Sequence, residues 1–262
     1  MHETKKPKVI IIFSVLILFI IPELFGQDTV ICPTIYPGGI SVEYGLGSYS
    51  VKDEYISKEK YSGSLPYYSF GWARKHNKYV YRLEMAYRNS DAIRNFNVSS
   101  GLTQFSLNQG FLYPLKKKSL FKKDLFIWLG PSTDFFFYYS KPNIGSSGIN
   151  ISQSVAGLFS LGFNTDVIYF INPKVQFESS LRLTALSLGV RLTDVQDDDQ
   201  SFIKPLTLFS GLNSSFNLGT RYFIFNQLSV KLAYKFELLH INAWNPLLSA
   251  SDNLVIGLTY RF

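Results

Sequence analysis

The stretch Leu254-Val255-Ile256-Gly257-Leu258-Thr259-Tyr260-Arg261-Phe262 alternates without a break. Successive side chains of an extended strand point to opposite faces. Leu254, Ile256, Leu258, Tyr260 and Phe262 therefore share one face, while Asn253, Val255, Gly257, Thr259 and Arg261 share the other. The first face is entirely apolar or aromatic, and the second carries a cation and small or polar groups.

The same period recurs upstream. Leu228, Val230, Leu232, Tyr234, Phe236 and Leu238 stand against Ser229, Lys231, Ala233, Lys235 and Glu237. Tyr81, Leu83, Met85 and Tyr87 stand against Arg82, Glu84, Ala86 and Arg88, and Phe177, Leu181 and Leu183 against Glu178, Ser180 and Arg182. Strands are expected to begin near Ile40, Leu65, Tyr79, Asn97, Leu125, Ser154, Val175, Leu206, Leu228 and Asn253, about ten in all and an even number. The polar breaks alternate in length. Val51 to Ser64, Asn89 to Phe96, Ser140 to Gln153, Asp194 to Lys204 and Asn242 to Asp252 are long, whereas Lys75 to Lys78, Asn172 to Lys174 and Phe225 to Gln227 are tight. Pro114 to Asp124 is a basic excursion among the short breaks. Short turns on one side and long loops on the other describe an antiparallel transmembrane β-barrel, with short periplasmic turns and longer extracellular loops.

Composition agrees with a chain whose side chains meet something apolar. Hydrophobic residues reach 46% and aromatics 16%, against only 17% charged. Transmembrane helices need about 18 or more consecutive apolar residues, and the one long run, Val9 to Ile21, is shorter. Lys5, Lys6 and Lys8 precede that run and Gly26 follows it, the pattern of a secretory signal peptide over residues 1–26. Residues 27–38 read as a periplasmic lead-in and 39–262 as the barrel. Cys32 is the single cysteine, which excludes an internal disulfide and a cysteine-based metal cluster. Much of the +7 formal charge sits in Lys116, Lys117, Lys118, Lys122 and Lys123, a local patch and not a nucleic-acid-binding face. No nucleic-acid partner is expected.

Periodicity alone leaves a soluble antiparallel sandwich open, since its strands alternate too. The leader, the terminal aromatic and the aromatic residues near strand ends favour the membrane. Trp72, Tyr113, Tyr169, Tyr222, Tyr260 and Phe262 are expected at the periplasmic rim, and Tyr67, Tyr87, Tyr138 and Trp244 at the outer one. Leu254 to Phe262 also resembles the C-terminal assembly signal of outer-membrane β-barrel proteins, with Leu258, Tyr260 and Phe262 at its alternate positions. Phe126-Ile127-Trp128-Leu129-Gly130-Pro131 and Leu24-Phe25-Gly26-Gln27 are similar to segments of small barrels of this class from Bacteroidota. The resemblance implies insertion by the barrel-assembly machinery into the outer membrane of a Gram-negative bacterium, with lipid and lipopolysaccharide as neighbours. It implies no substrate and no oligomeric state.

Parity projects Glu43, Glu84, Asp134, Asp166, Glu178 and Glu237 into the interior, together with Arg82, Arg88, Arg182, Arg221, Lys231, Lys235 and Arg261. A barrel of about ten strands has little room beyond its own side chains, so these charges are expected to pair into a polar filling. A wide diffusion pore is excluded by length. The expected function is structural or that of a narrow small-solute passage; the alternatives are a surface enzyme acting on lipid or peptide near His240 and a loop-mediated adhesin or receptor. For catalysis, His76 falls in a turn, and His240 points to lipid by strict parity unless a bulge at Leu238-Leu239 turns it inward. The His-x-Ser pair of outer-membrane lipases is missing because position 242 is Asn. Asp194, Asp197, Asp198 and Asp199 lack the Gly and distal Glu of a calcium loop. The expectation is a non-enzymatic barrel with no catalytic, cofactor or metal site.

Overall fold

The computed structural model describes residues 38–56, 58–95, 98–115, 118–120, 123–143, 153–193 and 203–262. The expected leader, most of the lead-in, Cys32, and the acidic stretch Asp194 to Asp199 lie outside the described residues. The strands are β1 (Gly39–Asp53), β2 (Lys60–Ser64), β3 (Tyr67–Lys75), β4 (Val80–Asn95), β5 (Val98–Pro114), β6 (Lys118–Leu120), β7 (Lys123–Asn143), β8 (Ser154–Asn172), β9 (Val175–Thr193), β10 (Ile203–Thr207), β11 (Gly211–Phe223), β12 (Leu228–Ile241) and β13 (Leu247–Arg261).

Two of these pairs are single strands interrupted. β2 and β3 both pair with β1 and β4 and are separated by Leu65-Pro66, where proline has no N–H to give a ladder. β10 and β11 both pair with β9, and a turn through Leu208 to Ser210 parts them, leaving Phe209 85% exposed. β6 is a short hairpin arm on β7 inside the basic excursion. With these merged, the antiparallel ladder runs β1, β2/β3, β4, β5, β7, β8, β9, β10/β11, β12, β13 and back to β1, a ring of about ten strands.

The registers fix the stagger of that ring. The inward row passes through Gly39, Ala73, Arg82, Gly110, Ser132, Gly162 and Thr184. The Asn213 N–H donates to Thr184 Oγ1 at 2.9 Å, and the row continues through Leu239 and Ser249 to Val51, twelve residues beyond Gly39 on β1. Such a shear accompanies the strong strand tilt, about 35–45°, of closed barrels.

The molecule is inside-out relative to a water-soluble protein. Arg88, Asn108, Asp134, Asn164, Arg182, Lys231 and Lys235 are buried in the lumen, while Leu46, Phe163, Leu186, Leu232, Leu254 and Ile256 are exposed on the outer wall. A soluble sandwich would place the two sets the other way round. An apolar belt of this extent is a lipid-facing surface, and the soluble alternative falls with it.

Two sequence expectations change, the extent of the strands and the outer aromatic girdle, and one holds, the outward parity of His240. The strands run past the membrane-length segments read from the sequence, so Val51 to Asp53 and Asn89 to Asn95 are ladder and not loop. Tyr67 and Tyr138, expected in an outer aromatic girdle, are 0% exposed and point into the lumen, and Trp244 packs on the lumen's apolar cluster. Only Tyr87 of that set stands on the outer wall. There is no bulge at Leu238-Leu239, since Leu239, His240 and Ile241 pair in register with Ser249, Leu248 and Leu247. Three slips occur elsewhere, between Ser90 and Ile93 on β4, opposite Leu161/Gly162 on β9, and between Phe170 and Asn172 on β8.

Candidate functional site

Because the inward residues of all the strands converge in the lumen, the lumen is where chemistry could reside. Its filling is layered along the barrel axis. At the long-loop end Tyr49, Leu65, Ile93, Leu102, Tyr138, Leu158, Leu206, Ile241 and Leu247 form one buried apolar cluster, on which Ala243 and Trp244 pack. Lys204 lies over the Trp244 ring at 5.2 Å and donates to the Ala243 carbonyl at 2.9 Å. Within this layer Arg191 pairs with Asp53, and the two side chains are 1% and 2% exposed.

The middle layer is a charge network. Arg88 pairs with Glu237, and Lys235 reaches Glu84 at 2.6 Å and Glu237 at 3.3 Å. Tyr67 sits between two cations, with the Arg88 guanidinium 4.8 Å and the Lys235 ammonium 4.5 Å from its ring centroid. Its hydroxyl donates to Glu84 at 3.2 Å. Cation–π contact of this kind strengthens where water is excluded. Arg182 meets Asp134 at 3.1 Å, and Asn108 donates to Asp134 at 2.9 Å while accepting from Asn164 at 3.0 Å.

The layer nearest the chain ends holds three further pairs. Arg82 contacts Asp166 at 2.7 Å, Lys231 contacts Glu43 at 2.9 Å, and Arg221 contacts Glu178 at 2.9 Å. Arg261 stacks on Phe223 at 3.9 Å and has no ion-pair partner among the described residues. On one side Val80, Leu112, Phe126, Trp128 and Ile168 make a second apolar cluster. On the other a cavity of about 160 Å³ opens between Ser41, Gly71, Arg82, Glu178, Arg221 and Arg261.

Every interior charge projected by parity, from Glu43 to Arg261, is thus in the lumen, and all but Arg261 are in ion pairs. Sequence reasoning missed Asp53 and Arg191. Asp53 has the inward parity of Glu43 but lies in the polar stretch that begins at Val51, which the structure makes the end of β1. Arg191 has the parity of a lipid-facing residue when counted from Arg182, but Leu161 pairs with Leu186 and Gly162 with Thr184, so Ala185 is an extra residue. One bulged residue reverses the alternation beyond it and brings Ser187, Gly189 and Arg191 inward.

The remaining candidates are dispersed. His240 is on the outward parity, opposite Leu212 and Leu248. His76 stacks on Tyr79 at 4.7 Å in an exposed turn. Leu258 and Phe262 are exposed on the outer wall, with Tyr260 on the same face. Among the described residues no cluster of His, Cys, Asp and Glu is arranged to hold a metal ion.

No protein-family model matches the chain, and no curated protein sequence does. Solved structures do resemble it. The outer-membrane protease OmpT of Escherichia coli aligns over 90% of this chain and 100% of its own, with TM-score 0.51 and 8% identity. The translocator domain of the autotransporter NalP of Neisseria meningitidis aligns over 97% and 96%, with TM-score 0.47 and 10% identity. Neisserial surface protein A aligns over 85% and 97%, with TM-score 0.38 and 11% identity. These likenesses concern the fold and say nothing of activity. The alternation first seen at Leu254 to Phe262 is that of a closed wall facing lipid: the chain has the fold of the outer-membrane β-barrels, an antiparallel ring of about ten strands.

Proposed function

We propose that this barrel is a non-conducting, non-enzymatic structural element of a Gram-negative outer membrane. Residues 1–26 serve as its export signal, and the alternate residues Leu258, Tyr260 and Phe262 are read by the barrel-assembly machinery. The long loops face the cell exterior among lipopolysaccharide, and the chain ends face the periplasm. One observation carries the reading: the long-loop end of the lumen is filled by the apolar cluster around Tyr138, Leu102 and Leu158, with the Arg191–Asp53 pair inside it. Hydrated ions cannot cross such a layer without losing their water. Below it, the paired carboxylates and cations leave no continuous polar path of one sign. The narrow-passage alternative needs that layer to move as a whole.

Catalysis at His240 receives no support, because its position opposite Leu212 and Leu248 directs it to the lipid side. The protease likeness of OmpT is a likeness of fold. Planar-bilayer recordings of the refolded barrel test the proposal. Flat current traces are expected at either polarity of the applied potential. Discrete conductance steps from wild-type protein would overturn it.

A further inference from the structure

The cavity at the chain-end side of the lumen is built and not incidental. Its lowest row contains Gly39, Ala73 and Arg261, which pair with one another at the start of the barrel, so the space reaches the rim. Small residues on β1 and β3 keep it open. A Cβ added to Gly71 would meet Ser41 Oγ at 2.3 Å.

Its lining carries four carboxylates, Glu43, Glu84, Asp166 and Glu178, and three guanidiniums, Arg82, Arg221 and Arg261, and every one of those carboxylates already has a cation in contact, two of them lysines from outside the lining. Glu43 is matched by Lys231, Glu178 by Arg221, Asp166 by Arg82 and Glu84 by Lys235. Arg261 is the remaining cation. Arg221 is fully engaged, giving Nε and Nη2 to Glu178 at 3.1 and 3.2 Å and Nη1 to Ser229 at 3.3 Å and to Thr259. Arg261 makes no side-chain hydrogen bond among the described residues, although only 6% of it is exposed and its Nε is buried without a partner. Phe223 covers one face of its guanidinium but accepts none of its N–H groups in the plane. Arg221 acts on it as a like charge and Glu178, held by Arg221, as an opposite one beyond ion-pair contact. Elsewhere in the lumen, cations are paired, because a lone buried charge is costly.

A guanidinium edge matches two oxygens of a carboxylate or a phosphate. The cavity has room for a small solute beside that edge, or for a group of waters. We infer that the cavity is a binding site for a small oxyanion, a carboxylate or inorganic phosphate, held by Arg261 and entering from the chain-end side. The inference does not depend on the absence of conductance: a conducting barrel could hold the same anion, and an anion-free barrel could still be closed.

The test uses barrel refolded in an uncharged detergent, with sodium acetate and inorganic phosphate as probes and sodium chloride holding ionic strength constant. In ¹⁵N-labelled wild-type protein the Arg261 Nε–H resonance, assigned by its loss in Arg261→Gln, is expected to move saturably. Half-saturation is expected at roughly millimolar concentration. Saturation transfer to the acetate methyl should fall at least about fivefold in Arg261→Gln, an energy of about 1 kcal/mol. Ser180 also lines the cavity, so Ser180→Phe, which fills it and leaves Arg261 in place, should abolish the shift. A wild-type resonance that does not saturate, or that moves equally when chloride replaces the probes, overturns the inference. So does a shift undiminished in Ser180→Phe. If Arg261→Gln fails to refold, judged by heat-dependent gel migration, the wild-type and Ser180→Phe titrations decide the matter.

Discussion

Toward the long loops the lumen is filled by Tyr49, Leu102, Tyr138, Leu158 and Leu247, whereas toward the chain ends it is lined by Ser41, Glu43, Gly71, Glu178 and Arg221 around a cavity. The same strands line both halves, and the same outward alternation of Leu, Phe and Tyr faces lipid along them. The wall is therefore indifferent to what fills it. What differs is access to water: the Arg191–Asp53 pair in the apolar half is almost completely enclosed, while Arg82 and Glu178 in the other half keep 20% and 19% of their side-chain surface. An ion pair in the first environment has only its partner, and one in the second also has solvent.

That contrast can be broken from the enclosed side first. Asp53→Ala leaves Arg191 as a lone buried charge, and equilibrium unfolding in lipid vesicles, followed by fluorescence of Trp72, Trp128 and Trp244, should show a loss of about 3–5 kcal/mol. The double change Asp53→Ala with Arg191→Ala should cost less than the single one. A single-variant loss below about 1 kcal/mol would mean that water reaches this layer after all. Leu158→Ala in the same half removes packing without a charge and should lower stability by about 2–4 kcal/mol in that assay.

In the wet half, Glu43→Gln keeps the shape and removes the charge facing Lys231. Water can take over part of its role, so a loss of about 1–2 kcal/mol is expected. A cost equal to that of Asp53→Ala would erase the distinction between the halves. The smallest effect belongs to Lys52→Ala, which breaks an outer pair with Glu54 in which the side chains are 42% and 31% exposed. Here the unfolding free energy should change by less than about 1 kcal/mol, since exposed pairs are screened and pay entropy for their order.

The wall was legible in the sequence and the filling only partly so. Two-residue alternation is a local property, so Leu254 to Phe262, Leu228 to Leu238 and Tyr81 to Arg88 show their lipid and lumen faces directly. The ion pairs are not local: Arg82 and Asp166, or Lys231 and Glu43, meet only when the ring closes. Their presence in the lumen follows from parity, but their partners do not. The apolar layer was hidden for a different reason. Leu102 and Leu158 share inward parity with Gln104 and Ser160, and a mixed face reads as polar when averaged along a strand. Tyr67 and Tyr138 were misplaced because an aromatic near a strand end fits an interface as well as a packed interior. Arg191 escaped through the extra residue Ala185, which no alternation count can reveal from one strand alone.

The stagger that carries the inward row from Gly39 to Val51 has a consequence for how the barrel comes to exist. Each neighbouring register contributes to that total, so the offset between the first and last strands is already dictated when all the other pairs have formed. β1 and β13 then meet along their whole lengths, Gly39 opposite Arg261 through Asp53 opposite Leu247. A one-residue slip at any earlier seam would arrive here as a mismatch, turning Glu43 or Asp53 toward lipid or forcing the ends to overhang. The closing seam thus works as a proofreader: it audits every pairing made before it and seals only the ring in which all of them are correct.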